Sequence, residues 1–192
     1  MIRPGTSMYS EAVRDGKKAM IFSTSMTRDI QYNEFNKHFK DGTAHFRRFH
    51  GDRAKHIKTY LPTHLKDEQP DTVIIIIGGN DLKTSREKPT PVVEIANHII
   101  DAAQVCKDYE VNNIFIASVI TRQKPYMAKR CEELNTILQG LCQLYNFNFI
   151  DNSPITHEYL SRDGVHLTKD GTYYLADHFL DALNGGTEWR EG

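Results

Sequence analysis

The sequence predicts an α/β protein: a three-layer α/β/α sandwich around a central five-stranded parallel sheet. Three observations predict it. Strand-like and helix-like segments alternate along most of the chain. The run "TVIIII" (residues 72–77) is β-branched and apolar on both faces, as a central parallel strand covered by helices on each side must be. The segments between strands carry apolar residues at helical spacing, which suits right-handed crossovers rather than hairpins.

Taken in order, "MIRPGTSMYSEAVRDGKK" (1–18) mixes Pro, Gly, Ser and charge and reads as an arm or linker. The domain proper is expected over 19–184, and "GGTEWREG" (185–192) reads as a tail. Residues 19–24 form a short apolar strand, followed at Ser25 by the start of a helix. Residues 44–49 alternate weakly and give a second strand; 72–77, 113–119 ("NIFIASV") and 147–150 complete the five. Helices are expected over 91–109, 127–145 and 172–183, the first with Thr90 as N-cap and Pro91 at the first helical position.

One domain suffices for 192 residues, and such a length buries a substantial core without staples. A hydrophobic fraction of 39% with 26% charged residues is a globular balance, not a disordered one. The net charge of -1 supplies no global field to draw in nucleic acid. Cys106, Cys131 and Cys142 cannot all pair within one chain and lie in helical segments, so a reducing, intracellular and cytoplasmic setting is expected. Neither a signal-peptide pattern nor a run long enough to span a bilayer is present in these residues.

In an open parallel sheet, ligands bind beyond the carboxyl ends of the strands. Ser25 follows the first strand, Gly51 the second, "GGND" (78–81) the third, and "RDGVHLT" (162–168) lies beyond the fifth. Each feature has a plain alternative. Ser25 suits an N-cap, but a serine at a strand-to-helix turn is also exposed as a nucleophile beside helix N–H groups. "GGND" suits a turn, yet Asn80 past a central strand can donate to a developing oxyanion. Gly51 is either a turn residue or a backbone donor. "DGVH" is a short pattern with nine histidines in the chain to produce it by accident, but its turn lets Asp163 reach Nδ1–H of His166 and turn Nε2 outward as a base. Four such features falling in order at the correct strand ends favour catalysis over caps.

These residues resemble the SGNH hydrolases, or GDSL esterase/lipase superfamily, whose four blocks carry a Ser, a Gly, an Asn, and a His preceded by its Asp. "FSTSMTRDI" resembles the first block, "FHGDR" the second, "IIGGND" the third and "DGVHLT" the last, over about residues 19–183. The resemblance implies a flavodoxin-like hydrolase fold with Ser25, His166 and Asp163 as a catalytic triad. It also implies an oxyanion hole from Ser25, Gly51 and Asn80, with no metal or organic cofactor. The first block departs from the pattern: Ser23-Thr24-Ser25 stands where the family has Gly-Asp-Ser. Within the superfamily, "FSTSMTRDI", "FHGDRAKHI" and "RPGTSMYSEAV" look similar to esterase domains in the first open reading frame of some non-LTR retrotransposons.

The expected substrate is a small, short-chain acyl ester of acetyl type, since no apolar lid-like insertion is visible. A competing reading is a weak or inactive hydrolase-fold domain that binds RNA or protein through Arg47, Arg48, Arg53, Lys55, Lys58 and Lys66. The plain alternative for that cluster is one solvated helix face with a loop. Self-association through an exposed strand or the terminal arms is compatible with the sequence.

Overall fold

The computed structural model describes residues 16–83 and 88–185. The expected arm and tail lie almost wholly outside the described residues. Within them, five strands, β1 (Lys17–Ser23), β2 (Gly42–Arg48), β3 (Thr72–Ile76), β4 (Asn113–Ala117) and β5 (Asn148–Ile150), alternate with helices. The helices are α1 (Tyr32–His38), α2 (Ala54–Glu68), α3 (Val92–Asp108), α4 (Pro125–Tyr145) and α5 (Lys169–Leu183). Every pairing is parallel and the order is β2-β1-β3-β4-β5. The α/β sandwich expected from the sequence is thus the observed fold.

Alternation along each strand divides two apolar layers. Met20, Phe22, Val73, Ile75, Ile114 and Ile116 pack with α2, α3 and α4. Ala19, Ile21, Ala44, Ile74, Ile76 and Ile150 pack with α5 and with Phe35 of α1. All five residues of β3 are buried, which is why its sequence is apolar without interruption.

From β1 the chain runs outward to β2 and then crosses back to β3 on the other side of β1. The crossovers diverge between β1 and β3, and this divergence opens the crevice in which doubly wound sheets bind ligands. At the opposite, amino edge the two ends of the described fold meet. Lys17 N–H donates to Asp41 O (2.8 Å), and the Asn184 side chain accepts from Lys40 N–H (3.0 Å) while donating to His38 O (2.9 Å).

Two local expectations are corrected. The helix expected from Ser25 is only a 3-10 turn, Ser25–Thr27, before α1 starts at Tyr32. Carbonyls of Thr27 and Ile30 accept from the Arg48 guanidinium, which competes with an α-helical ladder for them. Pro91 is the N-cap of α3, not its first helical residue: its ψ of 139° is extended, and its carbonyl accepts from Glu94 N–H and Ile95 N–H.

Candidate active site

β1 ends at Ser23, whose carbonyl accepts from Phe49 N–H (2.8 Å), so the loop after β2 is fastened to the end of β1. Thr24 takes the N-cap position of the following turn with an extended backbone and no side-chain cap bond. Ser25 is therefore not the cap. It is the first residue of the turn, where the leading N–H groups have no partner inside the turn. Its Oγ lies 3.2 Å from His166 Nε2.

His166 is delivered by the loop before α5. Its Nδ1 lies 2.5 Å from Asp163 Oδ2, and the other carboxylate oxygen of Asp163 accepts from Val165 N–H (2.8 Å), His166 N–H (2.9 Å) and Ser161 Oγ (3.0 Å). The bond to the His166 ring, and then those from the two backbone amides, hold the Asp163 carboxyl well below the usual carboxylate range. With Nδ1–H donated to a carboxylate, Nε2 is the basic nitrogen facing Ser25. A residue pair 141 positions apart in the sequence is thus brought within hydrogen-bond distance.

The remaining sequence candidates stand on adjoining loops. Gly51 has φ +78°, a left-handed conformation that disfavours side chains, and a Cβ built there would meet nothing within 4 Å. Backbone conformation, not crowding, selects glycine. Asn80 lies in the 3-10 turn Gly79–Leu82 after β3, and its Nδ2 donates to Asp52 O (3.0 Å), beside Gly51. That bond uses one of the two amide hydrogens. Next to it, the buried Asp81 carboxylate accepts from Ala54 N–H (3.0 Å) at the start of α2; burial raises its pKa, opposed by that bond. Asn80 and Asp81 together fasten the third block to the second.

Several side chains behind these loops escaped sequence reasoning. Arg130 donates to carbonyls of Leu82 and Thr90. Arg122, 3% exposed, donates to Ile120 O (3.1 Å) and sets Nη2 in the space where a Gly79 Cβ would be. Isolated arginines carry no motif, so sequence signals for them were weak.

Of the basic cluster, Arg47 pairs with Glu68 (3.2 Å), Lys58 pairs with Asp101 (3.0 Å), and Arg48 turns inward to carbonyls. No group of three or more His, Cys, Asp or Glu is placed to hold a metal ion among the described residues. No helix among them is long and apolar enough to cross a membrane. A groove of about 710 Å³ lies between α1 and α5, and one of about 680 Å³ lies beside α4. Ser25 and His166 line neither.

Similar folds are found among solved structures. A lipase/acylhydrolase from Enterococcus faecalis superposes with a TM-score of 0.74 at 19% identity, covering 88% of this chain and 96% of its own. A GDSL-like lipase from Bacteroides thetaiotaomicron gives 0.75 at 15% identity, with 96% and 92% covered. A catalytic mutant of an acetylxylan esterase from Geobacillus stearothermophilus gives 0.73 at 15% identity, with 88% and 95% covered. At these identities the likeness is one of fold. No curated protein sequence matches the chain. Residues 29–172 match the GDSL-like lipase/acylhydrolase family, a span that takes in the second, third and fourth blocks and begins four residues beyond Ser25. On that match, together with the shared fold, this chain belongs to the GDSL-like lipase/acylhydrolase family.

Proposed function

We propose that the protein is a serine esterase that hydrolyses short-chain, acetyl-type esters. The observation that carries this reading is the continuous relay from Ser25 Oγ to His166 Nε2 at 3.2 Å and from His166 Nδ1 to Asp163 Oδ2 at 2.5 Å. His166 takes the hydroxyl proton as Ser25 Oγ attacks the ester carbonyl, and Asp163 orients the ring and stabilises its charged form. The oxyanion is received by the N–H groups of Ser25 and Gly51 and by Asn80 Nδ2. His166 then protonates the departing alcohol, an acyl-Ser25 remains, and water deprotonated by His166 releases the acid and restores the serine.

Small acyl groups are favoured because the sequence shows no apolar lid-like insertion that would enclose a long chain. The acetylxylan esterase named among the fold neighbours supports the acetyl preference by analogy of fold alone. Kinship with retrotransposon esterase domains rests on the wording of "FSTSMTRDI" and "FHGDRAKHI".

The test is hydrolysis of p-nitrophenyl esters from acetyl to decanoyl by the wild type and by Ser25→Ala. Activity that falls with chain length and vanishes in the variant is expected. Equal activity in the two proteins would remove Ser25 from the mechanism, and inactivity of both would leave a binding domain on a hydrolase fold.

A further inference from the structure

The first block lacks the Gly and Asp that precede the serine in the family pattern, so something else must define the turn that presents Ser25. The structure shows a polar chain directly behind it. Ser23 and Thr27 are fully buried, and their hydroxyls are 2.6 Å apart. Thr27 Oγ1 and Thr27 O each accept from Arg48 Nε (3.2 Å), and Ile30 O accepts from Arg48 Nη2 (3.0 Å). Arg48 is the last residue of β2 and the direct register partner of Ser23, the last residue of β1. Its guanidinium carbon stands 4.7 Å from the Phe46 ring centroid, which fixes the side chain along the sheet face.

We propose that Arg48, with Ser23 and Thr27, is a positioning residue that holds the Ser25 turn in reach of His166. The inference rests on the esterase reading for its kinetic consequence, but its structural content is independent of it. One planar fork spans three acceptors on residues 27 and 30, so it bridges the turn from its last residue to the approach of α1. Within that span, Arg28 N–H bonds to Ser25 O (3.1 Å) and Ile30 N–H bonds to Thr27 O (3.0 Å). A 3-10 turn of three residues has poor intrinsic hydrogen-bond geometry, so external donors decide whether it persists. The Arg48 charge, which a competing reading of the sequence gives to a nucleic-acid surface, is instead directed at Thr27 and at the Ile30 carbonyl, on the turn that begins with Ser25 and the residues just after it.

The experiment compares wild type, Arg48→Ala and Arg48→Lys, with Arg47→Ala as a charge-matched neighbour whose side chain pairs elsewhere. Amide hydrogen exchange is read on peptides covering residues 24–31, and p-nitrophenyl acetate kinetics are read alongside. In Arg48→Ala, exchange over 24–31 accelerates by ~10-fold or more while β3 and α3 are unchanged, as expected for a local opening. Turnover falls by roughly 10- to 100-fold with KM little changed, since misplacing a reacting group acts on the chemical step. Arg48→Lys does not restore turnover, because an ammonium cannot reproduce the fork. Added guanidinium ion at non-denaturing concentration restores part of the activity of Arg48→Ala. Unchanged exchange in Arg48→Ala, or faster exchange with full turnover, overturns the proposal. A wild type without esterase activity whose turn still loosens in Arg48→Ala upholds the clamp and removes the esterase reading instead.

Discussion

Asp163 engages both carboxylate oxygens within its own loop, one on the His166 ring and the other on two amides and a hydroxyl. Its surroundings therefore act on charge as well as on ring orientation. Because the folded-state pKa is depressed, the stability that this group contributes is present above the ordinary aspartate value and disappears as pH falls through the folded value. We expect Asp163→Asn to lower turnover by ~10⁴, the cost of the wrong imidazole tautomer in a relay of this kind. Its melting temperature should lie below that of the wild type at neutral pH, and the gap should begin to narrow below about pH 4 and shrink further as pH falls toward the folded value. A gap constant from pH 7 to pH 2 in thermal unfolding would show that the loop does not depend on the charge. That Ser25, Asp163 and His166 come together was legible in the sequence, because each falls beyond the carboxyl end of a strand of one parallel sheet. The inward turn of Arg48 was not legible, since pattern alone cannot tell which side of an edge strand a guanidinium will choose. The one hint was its spacing of two from Phe46, which places both on the same face.

Among the elements, strands were legible to within two residues: burial on both faces leaves β1 and β3 as apolar runs with sharp ends, whereas the edge strand β2 buries only Ala44 and shows itself by weak alternation. The turns between them were harder, as their shapes are set by distant donors. Ser25–Thr27 answers to β2, and Gly79–Leu82 answers to the loop after β4 and to α4. The second case gives a prediction. Arg122 Nη2 fills the volume that a Gly79 side chain would need, and Arg122 Nε is buried without a hydrogen-bond partner. Gly79→Ala therefore has to displace the buried guanidinium, and overpacking of this kind costs about 1–3 kcal/mol. Urea unfolding of Gly79→Ala, Arg122→Ala and the double variant should be strongly non-additive, the second substitution relieving the first. Additive losses would place the two residues in separate environments.

For the molecule as a whole, the three cysteines report on how tightly the α2, α3 and α4 layer is closed. Burial pushes the Cys106 thiol up to about 12 and those of Cys131 and Cys142 up to about 11. A thiol whose pKa is higher folded than unfolded supports the native state fully below the unfolded value, and that support is lost as pH rises through the folded one. Under reducing conditions the melting temperature should fall between about pH 8.5 and pH 11, and a variant with all three cysteines replaced by alanine should show a flatter decline. Equal slopes for the two proteins would mean that other groups govern alkaline unfolding. The same enclosure slows alkylation of the native thiols, since the thiolate is the reactive form.

The meeting of β1's first residue and α5's end beside Asp41 and Lys40 gives the fold a plug-in geometry. β1 is seven residues long, so this junction and the serine turn are separated by roughly 20 Å of strand. The junction thus lies at the floor of the sheet and the Ser25–His166 pair at its rim. A fold built this way can be spliced into another chain as a cassette, with its two hinges close together and far from the Ser25–His166 pair.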